Sequence, residues 1–240
     1  MHDPTETQTQ ALASPRRRYI RELYDLEKLC AALITEKSLS LVQGRHRERF
    51  GFTSGTRLNV EIGCNAGHVL LALAERAPHE LFLGVDWKHK QIFRGCEKIQ
   101  KRGLKNAGFV RANANDLTKL FAPDEIDTLS IFFPDPWPKR VHHKHRLLTA
   151  AWLNKVAPLV RSGGTLEIRT DDLAYAAWID REIRGSSAWK LLHYEPNRHG
   201  AHPAPETLTI PDVTLFERIF IHAKKPIHRF MLAHEQSPVG

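Results

Sequence analysis

Five short apolar runs, each ending in polar or acidic residues and separated from the next by a helix-like segment, constrain the fold of this chain most. They are Leu58–Ile62, Leu81–Val85, Ala107–Arg111, Leu129–Phe133 and Thr165–Arg169. Continuous apolar runs of this length suit strands buried on both faces. Between them lie helical patterns: His68 to about Arg76, Lys88 to Arg102 closed by Gly103, His145 to Val160, and Leu173 to Ile183. The alternation predicts an α/β fold, a doubly wound, mostly parallel sheet with a late antiparallel strand. That late strand is expected at Thr214–Ala223, TLFERIFIHA, and a further one at Trp189–Tyr194. Gly163-Gly164 is expected to turn the chain into the Thr165 strand.

A chain of 240 residues accommodates one such domain with short extensions. The expected division is a disordered tail over 1–14, a helical extension over 15–57, the α/β domain over 58–223 and a basic tail over 224–240. In the extension, Tyr19, Ile20, Leu23, Leu26, Leu29, Leu33 and Ile34 recur at helical spacing. Arg16, Arg17, Arg18 and Arg21 stand at that helix's start, where they oppose the macrodipole. A phosphate contact and a solvated flank are equally good accounts of them. The stretch 195–212 reads as a long loop, a length more often functional than accidental.

Ligands of open α/β sheets bind at the carboxyl ends of the strands. At the first such end Glu61 leads into Gly63-Cys64-Asn65-Ala66-Gly67, where glycines let a ligand approach the backbone. Asp86 ends the second strand about twenty residues on, placed to accept from ribose hydroxyls; capping the next helix is the competing role. After the third strand come Asn113, Asn115 and Asp116, a polar group suited to reading an adenine amino group, with helix capping by Asn115 or Asp116 the competing account of part of it. The fourth strand is stopped by Pro134 and Pro136, which cannot donate to a ladder, so Asp135 sits just beyond its end. Trp137, Lys139 and the run Arg140, His142, His143, Lys144, His145 and Arg146 follow, uninterrupted by any acid. A carboxylate, an indole and a cationic run on one loop suggest a site that handles nucleic acid.

The formal charge of +8 favours a phosphate-rich partner. Cys30, Cys64 and Cys96 form neither a disulfide framework nor a zinc pattern, which fits a reducing cytoplasm. The polar N-terminus is no secretory signal, and no apolar run is long enough to span a bilayer. A metal is not expected, because the histidine run contains no cysteine or carboxylate at ligand spacing.

Val60-Glu61-Ile62-Gly63, Gly84-Val85-Asp86, Phe133-Pro134-Asp135-Pro136-Trp137-Pro138-Lys139, Thr170-Asp171 and Thr214-Leu215-Phe216-Glu217 occur in this order. Together they resemble the bacterial tRNA (guanine-N7-)-methyltransferases over roughly 58–221. The resemblance implies a Rossmann-like sheet, S-adenosylmethionine as methyl donor and a guanine of the tRNA variable loop as acceptor. It implies that Glu61, Gly63, Gly67, Asp86, Asn113 and Asp135 bind the donor. It makes Asp135 the catalytic residue. Lys139, Asp171, Thr214, Leu215, Phe216 and Glu217 would hold the target nucleoside, and Arg140 to Arg146 would lie along the RNA. The implied partner is tRNA, with no membrane and no metal, the chain acting as a monomer or weak homodimer.

Three positions depart from the family pattern: Asn65 for the middle glycine, Asn113 for an aspartate, and Leu215 for a basic residue. Other readings stay open at this point. One is a divergent, non-catalytic RNA-binding relative, favoured by Asn65 and Asn113; another is a methyltransferase acting on a different RNA. An amino-group methyltransferase is disfavoured because Asp135 separates the two prolines. A nicotinamide dehydrogenase is disfavoured because the turn lacks the full G-x-G-x-x-G.

Overall fold

A computed structural model describes residues 32–35, 42–200 and 213–235 of the chain. The tail expected over 1–14, the arginine-bearing helix up to residue 31 and the 195–212 loop from residue 201 on lie outside the described residues. One sheet holds β1 (Leu33–Ile34), β2 (Leu58–Ile62), β3 (Leu81–Asp86), β4 (Ala107–Arg111), β5 (Ile126–Phe132), β6 (Val160–Thr170), β7 (Trp189–Glu195) and β8 (His228–His234), in the order β1-β4-β3-β2-β5-β6-β8-β7. Every pairing is parallel except the two made by β8, which runs against both β6 and β7. The helices are α1 (His46–Arg49), α2 (His68–Arg76), α3 (His89–Arg102), α4 (Leu117–Leu120), α5 (Ala150–Val156), α6 (Leu173–Arg184) and α7 (Leu215–His222).

The apolar runs form strands because both faces of the sheet are covered. Every residue of β3 is buried. Phe82 packs with Leu70, Leu71 and Ala74 of α2 and with Ile92, Cys96 and Ile99 of α3. Leu81, Leu83 and Val85 join the opposite layer, with Trp152, Leu153 and Val156 of α5 and Ile179 and Ile183 of α6. The Phe109 ring of β4 lies in a slot made by missing side chains. A Cβ on Gly67 would stand 2.6 Å from its Cζ, and one on Gly95 of α3 would overlap the ring. Gly95→Ala is therefore expected to destabilise by about 1–2 kcal/mol. Overpacking of about 1–3 kcal/mol outweighs the gain of up to about 1 kcal/mol in helix propensity. A urea midpoint equal to or above wild type, at unchanged m, would contradict this.

Five local expectations are corrected. Leu33 and Ile34 are strand, not helix: both are fully buried and pair with Phe109 and Val110. The helix expected from His145 to Val160 is shorter. A 3-10 turn covers Arg140–His145, α5 starts only after the Thr149 cap, and a second 3-10 turn precedes β6. Thr149 accepts from Trp152 N, and this local bond sets the start. Gly163 does not begin a strand. It sits at φ 71° inside β6, where the β5 register slips between Ile126 and Thr128, as a bulge requires. Thr214–Ala223 is not the late strand but α7 with its N-cap: Thr214 accepts from Glu217 N, and the Glu217 carboxylate accepts from Thr214 N. This reciprocal capping box overrides the apparent alternation of TLFERIFIHA. The late antiparallel strand is β8, in the segment expected to be a basic tail. His228, Phe230, Leu232 and His234 point inward in alternation.

Candidate active site

The order β3-β2-β5 makes β2 and β5 neighbours whose outgoing connections diverge, the switch point at which a crevice opens in such sheets. A cavity of about 620 Å³ lies there, lined by Glu61, Gly63, Asp86, Asn113 and Asp135 from the ends of β2 to β5, with Thr214, Leu215 and Phe216 from α7. Gly63 is at φ 71°, and a Cβ there would meet nothing within 4 Å, so the backbone is bare toward the opening. Asn65 takes the left-handed conformation at φ 54°, the step that a middle glycine would take, and its side chain accepts from Ala66 N at 2.8 Å. Gly67, also left-handed, is not part of the lining; it packs on Phe109.

Asp86 is buried and ties the turn to β3, accepting from Asn65 N at 3.0 Å and Lys88 N at 2.9 Å. Lys88, not Asp86, is the N-cap of α3. A carboxylate has room for about four acceptor contacts, so Asp86 keeps capacity for a ligand. Asn113 caps the short 3-10 turn Ala114–Asp116 by accepting from Asn115 N at 2.9 Å, the job the sequence assigned to Asn115 or Asp116. Burial pushes the Glu61 carboxyl up to about 8; the Arg169 charge and a hydrogen bond from the Leu70 backbone oppose this, and Asp86 reinforces it. Near neutral pH Glu61 is therefore largely protonated until a cation arrives.

Asp135 is exposed at the tip of the loop after β5. Two non-glycine residues around it are left-handed, Phe133 at φ 52° and Trp137 at φ 44°. Such positions cost about 1–3 kcal/mol each and persist only when their surroundings hold them. Phe133 N donates to Arg169 O at 2.8 Å, and Arg146 Nε donates to Pro136 O at 2.8 Å. Arg146 is buried, its guanidinium 4.6 Å from the Trp178 ring and 5.0 Å from that of Tyr175. It is thus committed to shaping the loop, and the expectation that it lies along RNA is corrected: its charge has no open surface to offer. Lys139, Arg140, Lys144 and His145 are exposed, and His145 also lines the cavity. His142 and His145 pack against Trp137 at 5.8 and 5.2 Å, and His143 against Trp178 at 5.4 Å.

Glu217 was expected to touch the nucleoside, but it is wholly buried behind α7. Its carboxylate receives Arg169 Nη1 at 3.1 Å, Arg198 Nη1 at 2.6 Å and His199 Nε2 at 2.6 Å. Burial alone would raise it; the His199 hydrogen bond and the charges of Arg169 and Arg198 reverse that and hold it at about 2. Asp171 lies outside the cavity lining and accepts from Lys225 Nζ at 3.0 Å. Sequence reasoning missed Arg169, Arg198 and His199. An arginine inside the apolar run LEIR was the available signal for the first. It also missed His68, which lines the cavity. Trp87 lines the cavity and is 65% exposed, so it does not pack in the core.

Among the described residues, no group of His, Cys, Asp or Glu is arranged to hold a metal ion, and no helix is long and apolar enough to cross a membrane. A family model described as "Putative methyltransferase" matches residues 56–230. A tRNA (guanine-N(7)-)-methyltransferase of Marinobacter nauticus is 37% identical over 173 residues, 72% of this chain and 69% of that protein. One of Brevibacillus brevis is 36% identical over 130 residues, 54% of this chain; the match spans 60% of that relative's length. Among solved structures, one titled an antibiotic related methyltransferase superposes with a TM-score of 0.59 at 20% identity, covering 79% of this chain and 92% of that one. The 16S rRNA methyltransferase KamB gives 0.58 at 14% identity, covering 76% and 90%. These two likenesses show the fold.

Proposed function

This chain belongs to the tRNA (guanine-N(7)-)-methyltransferase family, and from that premise we propose that it methylates N7 of a guanine in tRNA, with S-adenosylmethionine as donor. The observation that carries the reading is the convergence of Glu61, Asp86, Asn113 and Asp135, from four strand ends, on one cavity. The donor set fits a nucleoside bearing a cation. Gly63 leaves its backbone open, Asp86 has spare acceptor capacity for ribose hydroxyls, and Glu61 offers a carboxylate that a positive charge would ionise. When bound, S-adenosylmethionine supplies a methyl already activated on a sulfonium.

Guanine N7 is a free lone pair on the Hoogsteen edge and needs no deprotonation. The protein's task is therefore alignment, which is worth roughly 7–11 kcal/mol in favourable cases. In this reading Asp135 accepts from guanine N1–H or N2–H, turns N7 toward the donor and offsets the charge that develops on the purine. Thr214, Leu215 and Phe216 close the cavity over the base, and Lys139, Arg140 and Lys144 meet phosphates. Arg146 and Glu217 act by holding the Asp135 loop and α7. The finer assignment is a guanine of the variable loop, modified in the cytoplasm by a monomer or weak homodimer.

Incubating the protein with labelled donor and unmodified tRNA, then digesting to nucleosides for mass spectrometry, tests the reading. Labelled 7-methylguanosine is expected; its absence overturns the proposal. Donor affinity should also follow Glu61. A group that ionises only near pH 8 releases its proton when a cation binds. Affinity therefore rises with pH up to about 8 and then levels. Calorimetry on Glu61→Gln should give a flat profile between pH 6 and 9; a wild-type profile that is itself flat would count against this role.

A further inference from the structure

The motif-bearing loops do not account for a second cationic wall at the cavity mouth. Helix α3 carries Lys90, Arg94, Lys98 and Arg102 at four-residue steps. That spacing puts them on one face, with a cation about every 6 Å along the axis. Lys98 Nζ donates to the Ala66 carbonyl at 2.9 Å, so the second half of α3 reaches the glycine turn. The first turn of α3 follows directly on Trp87 and Lys88, which line the cavity, so it stands beside the mouth. Lys90 and Arg94 are exposed there, and Arg94 has no ion pair among the described residues. Arg102 is tied to Glu75 at 3.2 Å and marks the far end of the stripe.

Two more groups continue the wall. His68, at the start of α2, lines the cavity, and the first turn of that helix holds no acid. Arg218 on α7 is exposed. Burial, then the charges of Lys98, Arg102 and Arg218, hold His68 below its ordinary range, a sign of the positive field at this spot. Glu97, the one acid on α3, stands three residues from Arg94 and seven from Lys90, so it shares the edge of this face as a single carboxylate against four cations. The Arg140–Lys144 run follows β5 and α3 follows β3, so the two basic surfaces flank the cavity from opposite sides of β2.

We propose that Lys90, Arg94 and Lys98, with His68 and Arg218 beside them, hold backbone phosphates of the tRNA strand whose base enters the cavity. The strand then passes between two basic flanks, and its continuation on the α3 side is read by charge alone. The spacing suits a phosphate chain, since the cations recur along one line rather than converging on a point. The inference rests on tRNA being the substrate, so the test separates the two ideas.

Binding of a fluorescently labelled, unmodified tRNA transcript is followed by anisotropy across a KCl series. Lys90→Glu/Arg94→Glu is expected to raise Kd at least tenfold at a fixed salt. It should lower the magnitude of the log Kd against log salt slope by about 1.5, as loss of two phosphate contacts requires. Donor affinity by calorimetry stays at the wild-type value. The control, Arg184→Glu/Lys190→Glu, changes charge equally at the opposite ends of the strands and leaves tRNA binding near wild type. Equal Kd and slope for wild type and the α3 variant, or equal weakening by the control, overturns the proposal. Lys90→Ala/Arg94→Ala gives a milder version of the same result if the reversal disturbs folding. Nucleoside analysis of the wild-type product stands apart: absent 7-methylguanosine with an α3-dependent salt slope sinks the function and leaves the stripe.

Discussion

Asp135→Ala is expected to lower kcat/KM for tRNA methylation by two to three orders of magnitude and leave the melting temperature within a degree or so of wild type. Asp135 is exposed and makes no hydrogen bond among the described residues, so the fold loses nothing with it. Its loop is held by other groups, Phe133 N on Arg169 O and Arg146 on Pro136 O. What disappears is a carboxylate beside a purine that gains positive charge as the new bond forms. Removing one preorganised partner of a developing charge costs about 3–4 kcal/mol, roughly 10²–10³ in rate. Asp135→Asn should fall between, because an amide still accepts but brings no charge. Turnover by the alanine variant close to wild type would end the case for Asp135 at the reacting centre.

Arg169→Leu should have the largest effect on stability, about 3 kcal/mol, because it takes a buried cation from Glu217 and from the half-buried Glu167, leaving the first to Arg198 and His199 and the second to Arg229. Arg169 is 1% exposed, with Nε 2.8 Å from Glu167, Nη1 3.1 Å from Glu217 and its guanidinium 4.1 Å from the Phe132 ring. For a chain of this size the melting temperature falls by roughly 10 °C. Glu217 adds a pH signature with a definite sign. Its folded value near 2 lies below the ordinary 4.5. The stability it contributes, about 3 kcal/mol, is complete above 4.5 and is lost as pH falls toward 2. Glu217→Gln should flatten that acid limb. Urea unfolding of Arg169→Leu with a wild-type midpoint would show that the buried network is not what holds α7 in place.

The parts of the fold legible in the sequence were those in which local pattern and burial agree. Leu58–Ile62 and Ala107–Arg111 are strands with the bounds their apolar runs suggest, because the sheet covers both faces. The misreadings arose where two periods competed. TLFERIFIHA alternates like a strand, yet Thr214 and Glu217 stand at capping-box spacing, and the cap prevails because Glu217 also meets Arg169, Arg198 and His199. HRFMLAH alternates too, but histidines on its inward face hid a strand among basic residues. The cavity-lining acids were readable because strand ends announce themselves. Arg146 and Glu217 were not: a charged side chain gives no sign in sequence of whether it faces solvent or a neighbour's carbonyl.

The position of β8 carries a consequence for how the site comes into being. The last strand among the described residues is not added at a rim; it lies between β6 and β7, which have no direct pairing of their own. A nascent chain can finish the glycine turn and the Asp86 strand early. The wall bearing Thr214 and Phe216 lies on the segment that joins β7 to β8, and both ends of that segment are fixed only once His228–His234 is in place. Donor pocket and base pocket therefore mature at different times, and contacts of such long sequence separation make the second the slow one.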